Sequence, residues 1–523
     1  MESRINNATR NIIFGFILNI YQIFIPFIIR TLMIYLLGME YLGLNGLFAS
    51  VLSVLNLAEL SIGMAMVYGM YKPIATNDKT TLCALLKLYK VYYRFIGSAI
   101  GIVGLCLMPF IKYLIKGSVP ADINIYVLYL MHLTATVLSY WVFAYKRSLL
   151  QAYQRTDLID KTNIIVTTVQ YLFQLVVVII TRSYYIYVLL MLGGQVFKNL
   201  ATAYVASKKY PDIHPEGDID EMEKARINQR IRDIFAAKLG GIIYGSADSI
   251  VISMFLGLKD LAVYDNYMYI LNSIAGFISV VFTSVTASVG NSLVLETKEK
   301  NHQDFQTFNF IVFWICGFCS ACFICIYEPF MHVWAGEENS MGMLYVVFLV
   351  LYFYFTQYND LLHMYKSASG IWSEDKFRPL ITSIINLVLD IILVRHFGLL
   401  GIIFATWISM AVVGIPWLIT NIFHHVFIGF SLSDYVKKML LYVLSTILAC
   451  LVSYGICLLF RVSDFVMIVI AVFVCIIVPN LIFFVCFRKS KEFESTLDLF
   501  DAITKYKLTG VLNIVRKLSG IEP

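Results

Sequence analysis

Apolar stretches long enough to cross a lipid bilayer recur along the whole of this chain. Of its 523 residues, 59% are hydrophobic and 14% are charged, whereas an average soluble protein carries about 25% charged residues. A membrane-spanning helix needs about 20 mainly apolar residues. Helices also satisfy their own backbone hydrogen bonds, which lipid cannot do. The sequence therefore predicts an all-α polytopic membrane protein.

The criterion of about 20 apolar residues predicts about fourteen transmembrane helices. They cover 11–37, 42–70, 89–111, 123–145, 157–180, 184–204, 235–256, 261–291, 309–327, 342–366, 377–396, 400–422, 436–459 and 465–487. With the N-terminus in the cytoplasm, few of the 40 Lys and Arg residues fall in outer connections. These few are Lys112, Lys116, Arg182, Lys259, Arg395 and Arg461. This distribution obeys the positive-inside rule and predicts that both termini are cytoplasmic.

Three residue pairs recur about 220 positions apart, each at the same place in the helix pattern. They are Leu37-Gly38 and Leu256-Gly257, Pro109-Phe110 and Pro329-Phe330, and Tyr145-Lys146 and Tyr365-Lys366. We predict two six-helix bundles related by a pseudo-two-fold axis along the membrane normal, which is typical of transporters. The predicted parts are a bundle over 1–204, a cytoplasmic linker over 205–234, a bundle over 235–422, two additional transmembrane helices over 423–487, and an amphipathic cytoplasmic tail over 488–523.

Two ionisable residues, Arg30 and Glu59, lie within predicted membrane helices. A charge near the bilayer centre costs about 2.5–3.5 kcal/mol on insertion scales, so such residues usually face a protein interior or a wet cavity. A guanidinium in a cavity would suit a phosphate, which it can bind with two parallel hydrogen bonds. The alternative for Arg30 is that its long stem reaches the outer interface. Glu59 is either an ion-coupling carboxylate or the structural partner of a cation.

Further polar residues lie within the predicted helices of the second half of the chain. Asp248 and Asp390 fall near helix centres and are candidates for a functional site by default. Lys238 lies near a cytoplasmic helix end, where reaching the interface is an equal alternative. Asp360 and His363 are three residues apart and so share a helix face, in either a local polar cluster or a translocation path.

Asn266 and Tyr267 open a predicted helix together. Amide and hydroxyl groups suit a hydroxyl-rich ligand such as a sugar, whereas a tyrosine at a helix end is also ordinary in the aromatic belt of a membrane protein. Both alternatives stay open from the sequence.

Several classes of function are not indicated. The chain has no Walker motif, no G-x-S-x-G, no HExxH and no large outer loop that could hold a catalytic centre. Cys316, Cys319, Cys322 and Cys325 follow one another every third position, which spreads them around a helix and suits packing rather than ligation of a cluster. We therefore predict no enzyme, no cofactor, no metal site and no nucleic-acid partner.

Particular stretches of the chain resemble the polysaccharide transport (Wzx-type) flippases. The first and most specific is RTLMIYLLGMEYLGLNGLF from Arg30, followed by LAELSIGMAMVYGMYKP. The others are KLGGIIYGSADSIVIS at 238–253, PFMHVWAG at 329–336, YKSASG at 365–370 and INLVLDIILVRHFGLLGIIFATWIS at 385–409. The superfamily of these flippases also holds the lipid II flippases and the multidrug and toxin extruders.

The resemblance implies a flippase that moves a polyprenyl-diphosphate-linked oligosaccharide from the inner to the outer leaflet by alternating access. The cargo would be a capsule, O-antigen or exopolysaccharide repeat unit, and the location the bacterial plasma (inner) membrane. Arg30 and Lys238 would receive the diphosphate. The partners would be membrane lipids, a coupling ion (H⁺ or Na⁺), and a polysaccharide polymerase or glycosyltransferases. The alternatives are a cation-coupled multidrug extruder and a lipid II flippase on the same scaffold.

Overall fold

The computed structural model describes residues 20–117, 119–503 and 509–520 and is all-helical over these ranges. The predicted fold class is thereby confirmed. The first helices are α1 Ile20–Leu36, α2 Met39–Leu55, α3 Leu57–Ala75, α4 Lys79–Leu107, α5 Ile125–Trp141, α6 Tyr145–Ala152, α7 Thr156–Thr181, α8 Tyr184–Lys209 and α9 Glu221–Phe255. The remaining helices are α10 Leu258–Leu295, α11 Lys298–Ala335, α12 Met343–Ser369, α13 Arg378–Phe397, α14 Leu399–Ser409, α15 Ile415–His425, α16 Leu432–Cys457, α17 Asp464–Phe487, α18 Lys491–Ile503 and α19 Thr509–Ser519.

Two compact units divide the chain, one up to Asn266 and one from Tyr267 onward. In the first unit, α9 packs against α2 and α3, and α4 against α5. Two ion pairs hold the loop between α8 and α9 to α4, Lys79 with Asp212 at 2.7 Å and Lys87 with Asp218 at 2.8 Å. The domain boundaries predicted from the sequence stay a prediction.

The predicted count of fourteen spans is not confirmed. Among the described residues, ten helices are long and apolar enough to cross a membrane, or eleven if α5 and α6, bent by 52°, form one broken span. The described part of α1 and all of α2 are apolar but short. The single helix predicted over 42–70 is instead two helices that meet at Asn56.

The break at Asn56 has a local cause in the backbone hydrogen bonds. Asn56 has φ −81° and ψ 0°, outside the α-helical range. The N–H of Glu59 donates to the carbonyl of Asn56, three residues back, at 3.1 Å. This shorter hydrogen-bond step tightens the chain locally, as is common at functional hinges.

Two turns at places that the predicted repeat makes equivalent have the same conformation. Gly38 follows α1 with φ 123°, and Gly257 follows α9 with φ 116°. In each turn the glycine N–H donates to the carbonyl five residues earlier, that of Met33 at 2.9 Å or Ile252 at 3.0 Å. Residues with a Cβ rarely adopt such positive φ angles, so the recurring glycines serve the same sharp helix end.

Helix α11 forms the centre of the second unit, where it packs against α12, α16 and α17. Its ring contacts include Phe313 stacked on Tyr442, with centroids 4.4 Å apart. Cys325 and Cys475 lie in the buried core between these helices. The tail forms α18 and α19, and α18 packs against α11.

Candidate functional site

Arg30 lines a cavity of about 440 Å³ inside the first unit. Its Nη1 donates a hydrogen bond of 2.7 Å to Oδ1 of Asn266, which is fully buried. The Asp265 carboxylate lies within electrostatic range of the guanidinium. The structure therefore brings two of the predicted site residues, Arg30 and Asn266, together beside a cavity.

Small residues on α2 allow the start of α10 to approach Arg30. A Cβ on Gly43 would lie 2.1 Å from the carbonyl oxygen of Leu258, and one on Gly46 would lie 2.0 Å from Oδ2 of Asp265. Neither distance is possible for a real side chain. The two glycines thus permit the close packing that carries Asp265 and Asn266 to Arg30.

We call the cavity at Arg30 the outer cavity. Amide and hydroxyl groups form part of its lining, and apolar side chains such as Met33 and Leu192 form the rest. Gln170 donates to Gln174 at 3.2 Å, and Gln174 donates to the carbonyl of Tyr187 at 3.1 Å. Gly194 leaves the room that Gln170 occupies, since a Cβ there would lie 2.1 Å from its Oε1. His132 lines the same cavity. One cation among neutral hydrogen-bonding groups is suited to an anionic, hydroxyl-rich ligand.

Glu59 lies at the break between α2 and α3. The hydroxyl oxygen of Tyr140 is 2.9 Å from Oε2 of Glu59 and 2.9 Å from Oδ1 of Asn56. Glu59 also lines a second cavity of the first unit, which shares Gln195 with the outer cavity.

The other predicted residues of the first unit lie apart from Arg30 in the structure. Asp248 is buried on α9, and its Oδ2 accepts a hydrogen bond of 2.9 Å from Tyr264. Lys238 is exposed on the same helix. Neither residue lines the outer cavity.

Tyr267 opens the second unit and is fully buried. Its hydroxyl donates to Oε1 of Glu328 at 2.8 Å and accepts from the N–H of Met341 at 3.1 Å. Its ring stacks on Tyr327, with centroids 5.0 Å apart. These contacts are those of a packing residue, and they lend no support to the predicted role of Tyr267 in substrate binding.

Asp390 is fully buried in α13 within the second unit. Asn386 Nδ2 lies 3.4 Å from Oδ1 of Asp390 and 3.3 Å from Oγ1 of Thr406. This arrangement places a carboxylate, an amide and a hydroxyl together in the interior of the unit.

Asp360 and His363 share α12, but a different group engages His363. Arg378 donates to Nε2 of His363 at 2.9 Å, and Arg378 and Lys366 both pair with Asp375. Asp360 is half-buried and lies within electrostatic range of Cys316 on α11. His363 therefore belongs to a charged cluster at a helix end, one of the two alternatives stated for it.

Sequence reasoning missed several residues that the structure places at the outer cavity or within electrostatic range of Arg30. Asp265 was visible beside Asn266, but nothing in the sequence pairs it with Arg30. Gln170 and Gln174 are four residues apart on α7, a spacing that puts both on one helix face. That spacing is the signal that could have found them.

Long apolar helices that enclose polar cavities with a few buried charges define a membrane transporter fold. Comparison with solved structures agrees. The chain is similar to the lipid II flippase MurJ in an inward closed conformation, with TM-score 0.68 and 14% identity over 91% of this chain and 98% of that one. It is also similar to an inward-facing multidrug resistance MATE family transporter of the MOP superfamily (0.57 and 16%, over 75% and 93%). A third match is a mutant of the Vibrio cholerae MATE transporter VcmN (0.53 and 12%, over 81% and 98%).

No protein-family model matches the chain, and no curated protein matches it. The likeness to solved structures thus establishes the fold of a multi-pass membrane transporter. The cargo is a separate question.

Proposed function

We propose that this protein is a flippase that translocates a polyprenyl-diphosphate-linked oligosaccharide between the leaflets of a bacterial plasma membrane by alternating access. A diphosphate-linked sugar carries negative charges and many hydroxyls, none of which can cross hydrocarbon without compensation. A protein that lowers this barrier must offer cationic and hydrogen-bonding groups inside the membrane.

The observation that carries the proposal is Arg30 in the outer cavity. Its guanidinium contacts the neutral amide of Asn266 and lines a cavity that also presents Gln170 and Gln174. Arg–phosphate contacts can be bidentate and are among the stronger hydrogen bonds in proteins. The resemblance around Arg30 and the likeness to a lipid II flippase support the same class of cargo.

The second unit offers a surface suited to the lipid part of such a cargo. A groove of about 320 Å³ lies among α11, α12 and α16 and is lined almost wholly by apolar side chains. Val347, Val443 and Cys450 are among them. A polyprenyl chain would exchange the bilayer interior for this surface without a desolvation penalty, since the two are similarly apolar.

A coupling cation, H⁺ or Na⁺, is part of the proposal. Asp390 with Asn386 and Thr406 is the group we assign to it, because an ionisable residue in the interior of a membrane protein is a candidate for a functional site. Buried carboxylates such as Asp248 and Asp390 also keep the multidrug extruder as a second candidate function, on the same fold as the MATE structures.

The test is translocation by purified protein in proteoliposomes. A lipid-linked saccharide is placed in the inner leaflet, and an external glycosidase reports its arrival outside. Arg30→Gln should lower the rate about 10- to 100-fold, because a hydrogen bond between charged groups is worth about 1.5–3 kcal/mol. Arg30→Lys should retain part of the rate. The exposed Arg182→Gln serves as control.

Wild-type rates in Arg30→Gln would remove Arg30 from the mechanism. An absence of translocation by the wild-type protein, together with export of cationic dyes, would favour the extruder.

A further inference from the structure

The second cavity of the first unit is a candidate binding site in its own right. It measures about 400 Å³, which lies in the range of small-molecule pockets. We call it the inner cavity. Its lining is mostly polar and includes Glu59, Arg147, Lys198, Asn163 and Gln195.

Two cations face this space without a partner at contact distance. The side chains of Arg147 and Lys198 make no hydrogen bond and no ion pair with any residue in the described part of the chain. They are near enough to act on each other electrostatically. Like charges repel, so an anion bound between Arg147 and Lys198 would replace this repulsion with two attractions.

Neutral donors surround the two cations. The side chains of Gln151, Asn163 and Gln195 line the inner cavity and make no hydrogen bond within the described ranges. Asn199 is held in place by a bond of 2.6 Å to the carbonyl of Ser139. Each free amide offers two donor hydrogens and one acceptor oxygen. Such groups match the hydroxyls of a sugar.

Two carboxyl groups lie within electrostatic range of Arg147, those of Glu59 and Asp160. Glu59 does not close the site, because its Oε2 is engaged by Tyr140. Tyr140 has a single hydroxyl proton and two acceptor oxygens at 2.9 Å, those of Glu59 and Asn56. A protonated Glu59 would let every contact form, since it could donate to Tyr140 while Tyr140 donates to Asn56.

We propose that the inner cavity binds an acidic saccharide, with Arg147 and Lys198 on its negative group and the free amides on its hydroxyls. The inference rests on the proposed function, which supplies a saccharide, and extends it by assigning that saccharide a negative charge. An anionic phospholipid fits less well, because its acyl chains would meet few apolar side chains in this space, where most of the lining residues are polar.

The test is binding of D-glucuronate to the full-length protein in detergent micelles, followed by saturation-transfer NMR. D-glucose is the uncharged matched probe, and inorganic phosphate is the anion without a sugar. Glucuronate should bind about tenfold more tightly than either, because it alone engages both kinds of group. The double variant Arg147→Gln/Lys198→Gln should raise its dissociation constant at least about tenfold.

Two controls keep the result interpretable. Lys209→Gln removes an exposed cation from the same helix as Lys198 and should leave binding within about twofold of wild type. Arg147→Lys keeps the charge and should retain most of the affinity. It also reports on the site if the double variant fails to fold.

Equal binding of glucose and glucuronate would overturn the proposal, as would unchanged binding in the double variant. Phosphate binding as tight as that of glucuronate would also overturn it, by showing an anion site without a saccharide. The proposed function has its own test, which is translocation in proteoliposomes. If proteoliposomes translocate the lipid-linked saccharide while glucuronate does not bind, only the present inference is lost.

Discussion

In the second unit, Lys366 and Arg378 both contact one carboxylate, Asp375, whereas in the first unit Arg147 and Lys198 line a cavity in which no carboxylate of the described residues lies at ion-pair distance from them. The distances around Asp375 are 2.6 Å to Lys366 and 2.6 Å to Arg378. All three side chains of that cluster are buried. This cluster of the second unit is thus neutralised internally, whereas the exposed Arg147 and the half-buried Lys198 of the first unit face the space of a cavity.

This difference teaches which charges are structural and which are available to a ligand. A closed, buried cluster stabilises a particular helix arrangement and can accept nothing more, because its donors and acceptors are already used. An open cation costs stability and is retained where it has a binding role. The comparison therefore supports the proposal that the cavities of the first unit recognise the ligand, and it assigns the charged cluster of the second unit a structural role.

The largest effect is expected from Asp375→Asn, which leaves Lys366 and Arg378 buried beside a neutral amide. Breaking a buried pair costs about 3–5 kcal/mol, so thermal unfolding in detergent should shift strongly downward. Asp434→Asn is the control, because its pairing with Lys437 is exposed. A melting temperature equal to that of wild type would show that the cluster is not a support.

We also expect the loss of folding stability in Asp375→Asn to depend on pH. Burial raises the pKa of Asp375, but hydrogen bonds and charge from Arg378 and Lys366 outweigh it and hold the pKa below its ordinary value of 3.8. A lowered folded-state pKa gives stability that is present above pH 3.8 and is lost as the pH falls through the folded value. The stability gap between wild type and Asp375→Asn should be full above pH 3.8 and narrow only below it.

A smaller effect is expected from Gly43→Ala in the first unit. The added Cβ would lie 2.1 Å from the backbone oxygen of Leu258, so α2 and α10 must separate. Overpacking of this kind costs about 1–3 kcal/mol, and it should also move Asn266 from Arg30 and slow translocation. Gly69→Ala is matched, because its nearest neighbour, Leu85, is 3.8 Å from the added atom. Equal rates in the two variants would show that the Arg30 contact does not depend on this packing.

Sequence patterns were most informative where one residue decides a local structure. Gly38 and Gly257 marked equivalent turns, and the recurring Tyr-Lys pairs gave two lysines, Lys146 and Lys366, that are both 6% exposed. The sequence did not predict the break at Asn56, because the mainly apolar stretch continues on both sides of it. The break is seen only in the backbone, where a hydrogen bond reaches three residues back instead of four.

The inner cavity could not be predicted for a different reason. Arg147 and Lys198 fall near the cytoplasmic ends of predicted helices, where the positive-inside rule already accounts for basic residues. Only the folded arrangement shows that both face one cavity. Tyr267 is the opposite case. Its place at the start of a predicted helix suggested that it could contact a ligand, but in the structure it is fully buried by residues distant in sequence, such as Glu328.

The smallest effect is expected from Lys198→Met, which removes one open cation and keeps the length of the side chain. A half-buried charge without a partner carries a desolvation cost that methionine does not. We therefore expect this variant to be as stable as wild type or more stable by up to about 1 kcal/mol, while it loses affinity for glucuronate. Lys366→Met is the matched change in the closed cluster and should be destabilising, because it removes a partner from Asp375. Thermal unfolding of the two variants side by side measures the contrast. A loss of stability in both would mean that Lys198 has a structural partner and that the division between closed and open charges does not hold.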